Sequence, residues 1–180
     1  MPGESIFRPI APQGPRILLL ILALAAAGCA QGGVRDGVYH APKGRYRIHL
    51  PPGTWDLIEI KGTDLALASP DRSLTILTGT LCNRYRRAKL ESLSKSLFVG
   101  LVDRRVREEG PVSLPAGEAQ RIVLEGRMNG TGVAAEAYTL RESPCLFDFI
   151  YLADPPRFES GVKAFRAMME TLRLSGKGRE

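Results

Sequence analysis

No apolar run in this 180-residue chain is long enough to cross a bilayer as a helix. The most apolar stretch, ILLLILALAAA from Ile17 to Ala27, is eleven residues, about half of the roughly 20 that a spanning helix needs. Histidine is scarce as well. His40 and His49 are the only two, and neither has a CxxC or HxxxH partner, so no metal site and no cofactor is expected. No GxSxG or P-loop pattern occurs, and Ser and Thr lack an activating neighbour, which argues against an enzyme. A nucleic-acid motif is also missing. What is present is an ordinary globular composition, 44% hydrophobic and 24% charged, long enough for one domain with a core.

The apolar run has a place outside that domain. Arg8 and Arg16 precede it, Glu4 is the only acid ahead of it, and small residues follow, which is the layout of a secretory signal. It ends in Ala26, Ala27, Gly28 and Cys29, and this AAGC resembles the lipobox of bacterial lipoproteins, with Ala26 standing where Leu is usual. The resemblance implies cleavage before Cys29, a diacylglycerol on its sulfur, acylation of the new amino group, and membrane lipid as a partner. Residues 1–28 then form a lipoprotein signal peptide. Residues 29–38, Gly-rich through AQGGVRDG, form a lipidated N-terminus and flexible tether. Two or three acyl chains make release from a bilayer negligible. Ala30, not Asp, follows the cysteine, a pattern similar to lipoproteins sorted to the outer membrane and facing the periplasm. Loss of the signal leaves 23 basic and 18 acidic residues, a modestly basic domain suited to an anionic membrane face.

From Tyr39 the pattern is that of one folded domain, 39–175, followed by a polar tail, 176–180. RYRIHLPPG alternates, with Tyr46, Ile48 and Leu50 on one face and Arg45, Arg47 and His49 on the other, so His49 points to solvent. WDLIEI and DLALAS read as a hairpin around KGT, and SLTILTGTLC as a buried strand. Leu90, Leu93, Leu97 and Leu101 then repeat at helical spacing. Four strand-like runs follow, RRVREEGPVSLP, EAQRIVLEGRM, GVAAEAYTL and CLFDFIYLAD, separated by turn chemistry and implying an antiparallel meander. Asp154 as N-cap and Pro155 open a last helix, with Phe158, Val162, Phe165, Met169 and Leu172 on one stripe. The fold class is therefore α+β, a mainly antiparallel sheet covered by two amphipathic helices.

The opening strand with LPPGTWDL, the helix after a buried strand, the meander with LPAGEAQRIVLEG and the closing YLADPPRFESGVKAFRAMMETLRL are similar to the PsbP-like α/β/α sandwich. The resemblance spans Tyr39 to Leu174 and implies a non-catalytic binding or assembly module; it carries over no functional residue.

Four features compete for a role. Cys82 and Cys145 either form a disulfide, favoured by an oxidising envelope and closing a loop of 62 intervening residues for about 4 kcal/mol, or stay as buried thiols. Asp148 shares a face with Leu146, Ile150 and Leu152; paired with an arginine it is structural, the reading we favour, and left alone it marks a site for a small ligand or a periplasmic enzyme. Arg84, Arg86, Arg87, Arg104, Arg105 and Arg107 flank the first helix and form a candidate patch for acidic lipid heads or an acidic envelope protein, or solvated charge alone. Trp55, the only tryptophan, reads as the packing residue of the Pro-Pro-Gly turn.

Overall fold

The computed structural model describes residues 32–84 and 87–175. The signal segment, Cys29, Arg86 and the tail 176–180 lie outside the described residues.

Chain direction reverses by short turns almost throughout. The strands are β1 (Gly33–Arg35), β2 (Val38–His40), β3 (Tyr46–His49), β4 (Asp56–Leu57), β5 (Leu65–Ala68), β6 (Leu74–Cys82), β7 (Val102–Leu114), β8 (Gly117–Met128), β9 (Thr131–Glu142), β10 (Cys145–Ala153) and β11 (Arg173–Leu174). Two α-helices interrupt them, α1 (Leu90–Ser96) and α2 (Phe158–Glu170). A large antiparallel sheet runs β4-β5-β6-β10-β9-β8-β7, and a small one β1-β2-β3-β11. The meander β7 to β10 follows the turn signals of the sequence, including Asn129-Gly130 with both residues at positive φ between β8 and β9.

Period-2 alternation decides which side chains enter each layer. Phe147, Phe149 and Tyr151 of β10 join Leu74 and Ile76 of β6 on one face of the large sheet, where α2 and the small sheet cover them together. Tyr46, Phe149, Tyr151 and Phe165 are sealed from solvent there, each contributing on the order of 2 kcal/mol or more by burial. Gly161 of α2 permits the closest approach: a Cβ on it would meet the Tyr151 hydroxyl at 2.6 Å and Leu74 Cδ1 at 2.8 Å. On the opposite face, Ile122, Leu124, Ala135 and Ala137 pack beneath Phe98 and Leu101, just after α1.

Three boundaries differ from the sequence reading. The stretch taken as tether is folded from Gly33 onward, because Asp36 (φ 50°) and Gly37 (φ 72°) make the positive-φ pair of a tight hairpin that pairs β1 with β2. The first helix is one and a half turns shorter than its leucine spacing suggested. After Ser96 the amides of Leu97, Phe98 and Val99 bond three residues back, to Ser94, Lys95 and Ser96, and the chain unwinds into Gly100. Finally, Asp154 makes no side-chain cap: it precedes a single 3₁₀ turn, Pro155–Arg157, and α2 begins after it.

Candidate functional site

The most concentrated group of ionisable side chains is one that the sequence reading did not single out. Glu136, in the middle of β9, is fully buried on the α2 side of the sheet. Arg121 on β8 donates to it through Nε (3.0 Å) and Nη2 (3.2 Å), Arg166 on α2 through Nη2 (2.7 Å) and Nε, and the Tyr138 hydroxyl donates at 2.7 Å. Burial pushes the Glu136 carboxyl up, but the bonds from Arg166, Arg121 and Tyr138 outweigh it and hold the group below the usual carboxylate range. Arg121 also reaches Glu108 at 2.7 Å. Each lone pair of Glu136 is engaged, so the cluster is a clamp between sheet and helix with no free acid or base.

Asp148 lies on the other face, and among the described residues no arginine pairs with it, contrary to the structural pair expected. Asp148 instead accepts from the Thr139 hydroxyl at 2.9 Å, its register partner on β9. Desolvation raises its pKa to about 6, only partly offset by that bond. Among the described residues no second carboxylate or imidazole converges on it: both histidines lie on the outer side of the small sheet. A recess of about 70 Å³ at the start of β10 is bounded by Arg84, Arg141, Ser143, Pro144, Cys145 and Leu146, and Asp148 does not line it.

Cys82 and Cys145 face each other directly across the β6–β10 ladder and are joined as a disulfide. Trp55 packs against the main core and donates from its indole nitrogen to the Pro52 carbonyl at 3.2 Å, tying down the Pro-Pro-Gly turn.

The arginine patch divides. Arg84 lies just beyond Cys82, at the end of the sheet where β10 begins, while Arg105 sits in the row through Glu125 and Ala134 to Ala153, where β10 ends. Arg107 is paired with Glu125, and Arg104 donates to the Phe98 carbonyl at 3.4 Å. The charges on β7 therefore mark a bulged, exposed edge strand, with Asp103 at positive φ, that resists pairing with another chain.

Two open surfaces are better organised. The first is an apolar groove of about 150 Å³ beside α1, walled by Leu77, Leu97, Phe98, Leu101, Val133, Ile150 and Leu152. Met128 (46% exposed) lines it as well, and Val99 (80%) and Val102 (60%) are chain neighbours of the lining residues Phe98, Gly100 and Leu101. It exists because α1 ends early and covers β8 and β9 more fully than β6 and β10. The second is the outer face of the small sheet, where Arg35, His40, Arg47, His49 and Arg173 border a shallow recess of about 620 Å³. Neither was named as a surface in the sequence reading. The second was legible there in part, from the alternation of Arg47 and His49 with buried Tyr46 and Ile48.

The layered arrangement is found in solved structures. The PsbP protein CyanoP from Synechocystis sp. PCC 6803 superposes with a TM-score of 0.58 at 11% identity, over 83% of this chain and 95% of that one. LpqN of Mycobacterium tuberculosis, described as involved in cell envelope biogenesis, gives 0.56 at 17% identity, over 75% and 87%. A Bacteroides thetaiotaomicron protein gives 0.58 at 10% identity; the chain spans about half of that protein's length. No protein-family model and no curated protein sequence matches the chain. At these identities the likeness is one of fold, and the fold is the PsbP-like α+β sandwich.

Proposed function

We propose that the protein is a bacterial envelope lipoprotein, anchored to membrane lipid through acylated Cys29, that acts as a non-catalytic binding or assembly module for an envelope protein. The anchor rests on the AAGC sequence after a short apolar run, and the outer membrane, on its periplasmic side, is the location that Ala30 favours. One observation carries the binding role: the apolar groove beside α1, lined by exposed Met128 and by Phe98, Gly100 and Leu101, whose chain neighbours Val99 and Val102 are exposed too. Exposed apolar surface gathered in one groove is the usual mark of a protein contact. The ionisable clusters support the same reading, because Glu136 is fully engaged by its neighbours and Asp148 has a hydroxyl for a partner.

A photo-crosslinking residue at Val99, in the full-length protein in its own envelope, tests this. A discrete adduct is expected from position 99, lost on Met128→Asp, and not formed from exposed Lys163 on α2. Equal labelling from positions 99 and 163 would sink the groove as the contact. Loss of labelled palmitate in Cys29→Ser, expected here, separately tests the anchor.

A further inference from the structure

We propose that the outer face of the small sheet is a membrane-docking face that takes anionic phospholipid headgroups. The inference rests on the lipid anchor proposed above and assigns it a second, protein-borne contact.

The face is built by alternation. Tyr39, Tyr46, Ile48 and Leu174 point inward and are buried, so His40, Arg47, His49 and Arg173 stand outward beside Arg35. Register sets His40, Arg47 and Arg173 in one row across β2, β3 and β11, about 4.8 Å from strand to strand. Arg47 and Arg173 are thus direct cross-strand partners. Two like charges in that position oppose sheet pairing, and folding alone gives no use for the pair.

Among the described residues nothing neutralises it. Asp36 and Glu170 stand at the rim, yet among the described residues no ion pair includes Arg35, Arg47 or Arg173. Arg173 donates only to the backbone carbonyls of Glu170 and Leu172. The guanidiniums retain the fork of donors that suits a phosphate.

Position identifies the occupant. Cys29 and Gly32 are three residues apart in sequence, a reach of about 10 Å at full extension. Gly33 already belongs to β1, the edge strand of this sheet. An acylated Cys29 therefore brings the β1 edge of the basic face within about one Debye length of the headgroups, and the sheet laid against them from that edge lets each Arg gain from an anionic surface. The two features coincide on the same sheet.

The test uses the lipidated full-length protein in vesicles of phosphatidylcholine, with and without phosphatidylglycerol, read by hydrogen exchange. Protection of residues 33–49 is expected only with phosphatidylglycerol, reversed by high salt and abolished in a triple variant, Arg35→Gln, Arg47→Gln, Arg173→Gln, that still floats with the vesicles. Equal exchange on both compositions would overturn the proposal. Protection in the intact envelope but on neither vesicle would overturn it in favour of a protein. If no lipid mass is found on Cys29, the anchor reading alone has failed. The unlipidated chain then tests the sheet by cosedimentation with phosphatidylglycerol vesicles, where the triple variant is expected to bind about 100-fold more weakly and equal binding would overturn the proposal.

Discussion

Arg166 of α2 holds Glu136 of β9 with Nη2 at 2.7 Å from Oε2 and Nε within 3.1 Å of both carboxylate oxygens. Thirty residues separate them in sequence. Removing the carboxylate leaves the guanidiniums of Arg121 and Arg166 side by side without the buried counter-charge they share. Glu136→Gln is expected to lower unfolding free energy by about 3 kcal/mol, a fall in Tm of about 6–12 °C for a domain of this size, measured by thermal melting at neutral pH. The sign with pH follows from the lowered pKa of Glu136. Its contribution is present above the unfolded carboxylate range and is lost as pH falls through the folded value, so the gap between variant and parent should close in acid.

Asp148 behaves in the opposite sense. Its pKa is raised to about 6 by burial, so between the ordinary aspartate range and pH 6 the unfolded chain ionises while the folded one stays protonated. Stability is lost as pH rises through that window. Asp148→Asn, which keeps an oxygen for the Thr139 hydroxyl, should therefore be more stable than the parent at pH 8, on the order of 2 kcal/mol, and equal to it near pH 3. Urea unfolding at the two pH values checks this; a variant less stable at pH 8 would point to a partner for the ionised form.

The Cys82–Cys145 bridge closes a loop with a sequence separation of 63. Cys82→Ser with Cys145→Ser should lower stability by about 4 kcal/mol in the chain-entropy picture. Denaturant titrations with and without reductant check it, and the double variant should lose all sensitivity to reductant.

At Gly161 an added methyl group would run into the Tyr151 hydroxyl and Leu74. Tyr151 cannot turn aside, because it is fully buried and donates to the Phe158 carbonyl at 3.0 Å. Gly161→Ala should cost about 1–3 kcal/mol through overpacking, against the gain of roughly 1 kcal/mol that the same change gives an exposed helix. Gly100, where an added Cβ meets nothing, provides the control for melting measurements.

The groove gives the remaining prediction. Val99→Asp replaces a side chain that is 80% exposed, so Tm should change by less than about 2 °C. Recovery of a protein partner from the envelope should nevertheless fall sharply.

The elements that were legible in the sequence are those whose signals are local. Asn129-Gly130 marked a hairpin, and the Phe158, Val162, Phe165, Met169, Leu172 stripe marked α2. What was missed depended on distance or on composition. Glu136 sits in GVAAEAYTL, where one acid among alanines reads as a strand's solvent side; its arginines lie fifteen and thirty residues away. The argument applied to Asp148, a lone carboxylate on an apolar face, fits Glu136 equally well, and it was the antiparallel register that gave Asp148 a threonine instead. Asp36-Gly37 was a turn signal hidden inside a glycine-rich stretch that looked like linker. The leucine spacing after Lys89 overran α1 because Val99 and Gly100 favour unwinding more than Leu97 and Leu101 favour another turn.

The small sheet and the α1 groove lie on opposite sides of the seven-stranded sheet. An acyl anchor alone lets a domain swivel like a balloon on a string. Resting additionally on its basic sheet, this domain would stand upright, with the groove turned to the aqueous phase at a height fixed by two stacked layers, about 20 Å. A partner would then meet the groove at a constant altitude above the bilayer, and the search between two membrane-bound proteins would be confined to a plane.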